Sequence, residues 1–212
     1  MDKRGKFIVI DGMDGSGKGT QIKLLQEKLK ASSILFTREP GGSPKAEEIR
    51  NILLQTGGPQ SNAVCDFFLF WAARGSHVED VVAPTRAGGK HVICDRYDSS
   101  TYAFQICGEQ AQAWLKSMFT AVRTGLPEEY RPDLYIVLDL PAVVAFDRRN
   151  KDALQAKDRF DSKPLEYHER VRQGFSAFAR EFGPVRFVNA ERTPEEIHAD
   201  IWSIVAPMVG SE

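Results

Sequence analysis

Gly12-Met13-Asp14-Gly15-Ser16-Gly17-Lys18-Gly19-Thr20 is the stretch on which the reading of this chain turns. Before it runs Lys6-Phe7-Ile8-Val9-Ile10-Asp11, an apolar, β-branched segment of the kind that forms a buried strand. After it, between Thr20 and Ala31, Ile22, Leu25 and Leu29 recur at helical spacing. Strand, glycine loop, helix is the context of a phosphate-binding loop. Glycines let successive backbone N–H groups turn inward around phosphate oxygens, and the helix N-terminus adds its own free N–H groups and dipole. Lys18 supplies a mobile positive charge for a terminal phosphate. The plain alternative is a glycine-rich turn with a solvated lysine. One position departs from G-x-x-x-x-G-K-[ST]: the hydroxyl that holds Mg²⁺ is expected directly after the lysine, where Gly19 stands, and comes one residue later at Thr20.

Composition narrows the field. The chain has 212 residues, enough for one ample domain over residues 1–212. Charged residues are 27% and hydrophobic ones 42%, which is ordinary for a globular protein. A net charge of −1 argues against coating nucleic acid, though not against a local basic pocket. No apolar run approaches membrane-spanning length, and Met1-Asp2-Lys3-Arg4-Gly5 leads straight into the first strand, so neither a membrane anchor nor a signal peptide is expected. Three scattered cysteines (Cys65, Cys94, Cys107) without a C-x-x-C pattern read as reduced thiols of a cytoplasmic protein. The histidines His77, His91, His168 and His198 lack metal-ligand spacing and read as surface or packing residues.

Strand-like and helical runs alternate throughout. Ser33–Thr37 reads as strand, and Ser43 caps a helix from Pro44 to about Gln55. A long helix is expected from about Asn62 to Arg86, broken by Gly88-Gly89 before the strand His91–Asp95. Residues 109–124 read as helix, Leu134–Asp139 as strand, and Pro141 opens a helix to about Arg149. Pro164 opens a further helix to about Phe182, Val185–Val188 makes a fifth strand, and Thr193 with Glu196 forms a capping box for the last helix. The pattern predicts an α/β fold: a five-stranded parallel sheet with helices on both faces. Ligands of such sheets bind beyond the carboxyl ends of the strands. The glycine loop, Arg38-Glu39-Pro40 and Asp95-Arg96-Tyr97 follow strands one, two and three respectively.

Asp95 at a strand end can hold Mg²⁺ directly or through water, or else cap a turn. Arg96 and Arg38, after neighbouring strands, can clamp a second anionic group. Two phosphate-bearing ligands favour phosphoryl transfer over hydrolysis. Phe70 and Arg74 share a helix face, where a ring could stack on a base and a guanidinium bond its carbonyl. The same face, with Phe67, Trp71 and Val78, fits a plain core equally. Asp98–Gln105 is polar and aromatic together, as a nucleoside pocket or a helix start would be. Residues 147–163 hold Arg148, Arg149, Lys151, Lys157, Arg159 and Lys163 among four aspartates, a solvated loop or a lid whose arginines close over the transferring phosphate. Asn150-Lys151-Asp152 is similar to the guanine-reading N-K-x-D but has Ala153 where the aspartate is needed.

Together these residues resemble the dTMP kinase family, of the bacterial type, from Phe7 to about Ala190. The likeness rests on Gly12–Thr20, Phe36–Gly42, Phe70–Arg74, Asp95-Arg96-Tyr97 with Ser100-Thr101 and Gln105, Arg131–Leu134, and Asp158–Asp161 before Tyr167–Val171. The resemblance implies a P-loop nucleoside monophosphate kinase architecture, ATP as co-substrate, Mg²⁺, dTMP as acceptor, a place in dTTP synthesis and a homodimer. It implies that Lys18 binds donor phosphates within the loop Gly12–Thr20, and that Asp14 contacts the acceptor sugar. Arg38 and Arg96 would hold the dTMP phosphate. Phe70 would stack on thymine, with Arg74, Thr101 and Gln105 around the base. Asp95 would organise Mg²⁺ together with Thr20. Some relatives carry a catalytic arginine in the loop where this chain has Gly15. Others place it in the lid, and this chain resembles these, with Arg149 and Arg159 the candidates. Two positions depart from the family: Gly19 for the usual threonine, and Phe104 for the common tyrosine. The Gly19-Thr20 ending is closer to adenylate kinases, so a kinase for another nucleoside monophosphate stays open, as does a nucleotide-binding module without turnover.

Overall fold

The structure, a computed structural model, describes residues 4–29, 33–55, 62–151 and 163–210. Five strands, β1 (Phe7–Gly12), β2 (Ile34–Arg38), β3 (His91–Asp95), β4 (Leu134–Asp139) and β5 (Val185–Asn189), form one parallel sheet in the order β2-β3-β1-β4-β5. β1 is central, and all six of its residues are buried. That explains its unbroken apolar sequence, since both faces of the strand are covered. Ile8 and Ile10 pack into one layer with Leu25 of α1 (Lys18–Lys28) and with Ile197, Ile201 and Val205 of the last helix. Phe7 and Val9 pack into the opposite layer with Phe67, Val78, Tyr102 and Phe119.

α2 (Pro44–Leu54) is capped by Ser43, whose Oγ accepts from the Ala46 N–H. α3 (Ala63–His77) is capped by Asn62, whose Oδ1 accepts from the Cys65 N–H at 2.9 Å. The expected single helix to Arg86 is instead interrupted: α3 widens into a π-helical turn at Val78–Val82 before α4 (Ala83–Ala87). The expected helix over 109–124 is found over Ala113–Gly125, starting four residues later, and a further one precedes it. A helix begins earlier, at α5 (Asp98–Ser100), and runs on as a π-helix over Thr101–Gly108. α6 (Ala113–Gly125) follows. The wide turns show as bonds five residues apart, Glu109 N–H to Phe104 O at 3.1 Å and Ala111 N–H to Ile106 O at 2.9 Å. Periodicity reasoning at 3.6 residues per turn does not find such a segment.

α7 (Ala142–Lys151), α8 (Leu165–Phe182) and α9 (Pro194–Val209) complete the described chain. The expected capping box opens α9: Thr193 Oγ1 accepts from the Glu196 N–H, and Glu196 Oε2 accepts from the Thr193 N–H at 3.0 Å. Among the described residues no helix is long and apolar enough to cross a membrane. The three cysteines are free thiols.

Candidate active site

A cleft of about 820 Å³ opens at the carboxyl ends of β1, β2 and β3. Parallel strands deliver their following loops to this one edge, so the fold itself makes the convergence. The glycine loop forms its floor. Gly12, Gly15 and Gly17 have φ of 140°, 80° and 91°, and Gly17 serves as the left-handed N-cap of α1. At Gly15 a side chain would run into the carbonyl oxygen of Ala145 and come within 3.1 Å of the Arg149 nitrogen, both on α7. The loop and the helix carrying Arg148 and Arg149 are thus in backbone contact, and that contact excludes an arginine at position 15.

Lys18 is buried, and its Nζ donates to the carbonyls of Gly12 and Met13, each at 2.9 Å. Burial, then the nearby Arg96 charge, pushes the Lys18 pKa below its ordinary value. Arg96 sits in the left-handed region (φ 67°), which turns its side chain from the end of β3 toward the loop. Its guanidinium donates to Asp14 Oδ1 at 2.5 Å, to Gly12 O at 3.2 Å and to Ser100 Oγ at 3.0 Å. Although burial pushes Asp14 up, Arg96 and Lys18 outweigh it and hold the Asp14 carboxyl below its usual range. Beneath them, wholly buried Asp11 accepts from the Gly12 N–H at 2.8 Å, from Ser99 Oγ at 2.6 Å and from Ser100 Oγ at 2.7 Å. Burial raises the Asp11 pKa. Asp11 fastens the loop to the start of α5.

The far wall is built from side chains. Glu39, after β2, is buried and accepts from Arg74 Nε at 2.9 Å and from Arg74 Nη2 at 2.8 Å. Arg74 Nη2 also donates to Thr101 Oγ1 at 3.2 Å. Its guanidinium lies over Trp71 and Tyr97, 4.6 and 4.8 Å from the ring centroids. Phe70, half-buried, lines the cleft, whereas Phe67 on the same helix is core. Phe104 lies under Arg96, 5.0 Å from its guanidinium. Among the described residues, three polar side chains of the lining have buried atoms without a hydrogen-bond partner: Arg74 Nη1, both amide atoms of Gln105, and Asp95 Oδ1. Buried donors and acceptors are normally satisfied, so these atoms are what a ligand would meet.

The cleft brings together Asp14, Gly15, Gly17, Lys18, Gly19, Thr20, Phe70, Arg74, Asp95, Arg96, Thr101, Gln105 and Arg149 of the residues expected from sequence. Gly12, Met13 and Ser16 lie behind it in the loop, buried. Arg38 is set apart: it is exposed, outside the lining, and paired with Glu47 of α2 at 2.9 Å. Arg159 lies outside the described residues, as does most of the expected lid. A cation site fits the donors present, because the free Asp95 oxygen and the exposed Thr20 hydroxyl are hard oxygen ligands of the kind Mg²⁺ takes alongside phosphates.

A family model described as thymidylate kinase matches residues 10–201. The chain belongs to the thymidylate kinase family. A thymidylate kinase of Desulfovibrio desulfuricans is 40% identical over 203 residues, covering 90% of either chain. One from Symbiobacterium thermophilum is 39% identical over 202 residues, covering 94% of this chain and 92% of its own. The crystal structure of a thymidylate kinase from Ehrlichia chaffeensis superposes with a TM-score of 0.74 at 24% identity, over 95% of this chain and 99% of that one, and has the same fold.

Within this thymidylate kinase fold, sequence reasoning passed over Glu39, Asp11 and Arg50. Arg50 of α2 lines the cleft and donates to Pro40 O at 2.7 Å. Glu39 was visible inside Arg38-Glu39-Pro40, but its partner lies 35 residues away on another helix, beyond any local pattern. Asp11 reads as the last residue of a strand, and only the pair Ser99-Ser100 hints at its role.

Proposed function

We propose that this chain transfers the γ-phosphoryl group of ATP to dTMP, giving dTDP and ADP in the supply of dTTP. The observation that carries this reading is the pairing of two unlike surfaces in one cleft. A glycine loop with a buried lysine faces a pocket where Phe70 stands beside the unpartnered polar atoms of Arg74 and Gln105. Thymine offers a flat face for the ring and carbonyl and imide groups for those atoms. The family membership supports the same acceptor.

In this reading the donor phosphates lie on the backbone N–H groups of the loop, and Lys18 exchanges the Gly12 and Met13 carbonyls for phosphate oxygens. Arg96 takes the dTMP phosphate, and Asp14, beside it, takes the sugar hydroxyl. Arg38 joins Arg96 by exchanging Glu47 for the same phosphate. A dTMP phosphate oxygen attacks the γ-phosphorus in line while the bond to the ADP oxygen breaks. That nucleophile is already ionised near neutral pH, so no general base is required. Asp95, with Thr20, would hold Mg²⁺, which neutralises charge on the donor phosphates when bound. Arg149, carried onto the loop by the α7 contact at Gly15, and Arg159 complete the neutralisation. The reading includes a homodimer. Its support is the exposure of Phe68 on α3 and Trp114 on α6, 50% and 46%, on helices joined through the Trp71–Phe119 contact. Sedimentation equilibrium returning the monomer mass would remove that part.

The test is an ADP-release assay across dTMP, dUMP, dGMP, dAMP and UMP. The reading fails if dTMP is not the best acceptor by kcat/KM, and ATP binding without turnover on any of them would leave a binding module.

A further inference from the structure

His77 is wholly buried at the C-terminal end of α3, one turn beyond Arg74, and does not line the cleft. Both ring nitrogens are engaged. Nδ1 is 3.0 Å from Glu39 Oε1, and Nε2 is 2.8 Å from Thr37 Oγ1. Glu39 Oε2 carries Arg74 through Nε and Nη2. A carboxylate facing a guanidinium accepts on both oxygens, so His77 Nδ1 carries the proton and donates to Glu39. Nε2 then accepts from the Thr37 hydroxyl. The result is a hydrogen-bonded chain, Thr37 to His77 to Glu39 to Arg74 to Thr101. Gly42 closes it from outside. Its φ is 88°, and a Cβ there would stand 2.5 Å from the His77 ring and 2.7 Å from Thr37 Oγ1.

The consequence lies at Arg74 Nη1, buried in the cleft wall and the one nitrogen of that guanidinium without a partner among the described residues. Nη1 is left over because Glu39 takes Nε and Nη2, and Thr101 takes Nη2, on the side of the guanidinium away from Nη1. Freed of His77, the Glu39 carboxylate can rotate about its side-chain bonds and carry the guanidinium it holds, and with it Nη1, out of line with the base. We propose that His77 is a positioning residue for acceptor recognition: by fixing the Glu39 carboxylate it aims Arg74 Nη1 at the base. This rests on the acceptor reading above. The chemistry selected is a carbonyl at that place on the base, so thymine is accepted and cytosine, which presents an amino group there, is not.

Three substitutions in the full chain separate this role from simple packing. In His77→Asn the side-chain nitrogen takes the place of Nδ1 and retains the Glu39 bond. In His77→Gln it takes the place of Nε2 and retains only the Thr37 side. In His77→Phe both are removed at similar volume. Each is measured for kcat and KM with dTMP and dCMP at saturating ATP, for KM of ATP, and for Tm. Gln and Phe are expected to raise the dTMP KM by about tenfold and to narrow the preference for dTMP over dCMP, since one buried hydrogen bond is worth about that much. Their kcat and ATP KM stay within about twofold of wild type, and Asn keeps a dTMP KM close to wild type. The proposal is overturned if all three retain the dTMP KM, or if Asn and Gln behave alike and the losses follow Tm with kcat falling in step. The wild-type rows test the acceptor reading separately. Should another monophosphate prove the better substrate, that reading falls, and the Asn-against-Gln contrast measured with that substrate still decides His77.

Discussion

The two halves of the cleft are made of different material. The donor half is backbone: a loop of nine residues whose shape is set by three glycines with positive φ, and whose lysine is held by the carbonyls of its own loop. The acceptor half is side chain. Its wall depends on Glu39, Arg74, His77 and Thr101, joined across sequence separations of 27 to 38 residues and nearly all buried. In the first half a substitution at Lys18 acts on phosphate contact and takes nothing from the apolar core. In the second it breaks a buried ionic network on which part of the core rests, so recognition and stability are coupled there.

The largest expected effect therefore falls on the acceptor wall. Glu39→Ala leaves the Arg74 guanidinium buried without a counter-charge, and breaking such a pair costs about 3–5 kcal/mol. Urea unfolding should show that loss. A variant as stable as wild type would mean that the wall is not coupled to the fold. Lys18→Ala is the matching cut in the donor half. It should lower kcat by roughly 10²–10³-fold, as the removal of a preorganised charge contact does. Its unfolding midpoint should move far less than that of Glu39→Ala, because Lys18 leaves behind two neutral carbonyls where Glu39 leaves a buried guanidinium. Equal shifts in stability for the two variants would erase the distinction between the halves.

Asp14 stands where the halves meet, and pH reads its bond to Arg96. Its carboxyl is held below the ordinary value, so the stability it contributes is present above about pH 4 and is lost as pH falls through the lower folded-state pKa. In Asp14→Asn that contribution is absent at every pH. The stability difference between wild type and variant should shrink as the medium is acidified from pH 6 toward pH 2. A difference that stays constant would show that Asp14 does not bond Arg96 as a carboxylate.

The same contrast explains what could be read from the sequence. The glycine loop, the strand order of events and the strand-end residues Asp95 and Arg96 are local signals, each set within a few residues by conformation or hydrophobic period. Phe70 and Arg74 were legible as sharing a face, but not whether that face looked into a core or a cleft. That depends on Glu39 drawing Arg74 to the boundary while Phe67 goes inside. The π-helix at Thr101–Gly108 was hidden because its wide turn breaks the 3.6-residue period, yet it sets Thr101, Phe104 and Gln105 on the cleft wall. Arg38 was placed by its position after β2, and its pairing with Glu47 depends on how α2 returns past the loop.

The smallest expected effect concerns Gly19, the departure with which the loop began. It is helical and exposed, and among the described residues nothing lies within 4 Å of where a Cβ would stand, so their packing does not demand a glycine there. Gly19→Ala should raise stability by about 0.5 kcal/mol, from the lower backbone entropy of the unfolded chain. Gly19→Ser should do nearly as well and add a hydroxyl directly behind Lys18. If Asp95 and Thr20 hold the cation with a vacancy between them, Ser should lower the Mg²⁺ concentration that gives half-maximal turnover, and Ala should leave it unchanged. If both variants instead lose activity at full stability, the bare backbone at Gly19 is itself the surface that the donor phosphates approach. The donor half would then be more wholly a backbone site than its lysine suggests.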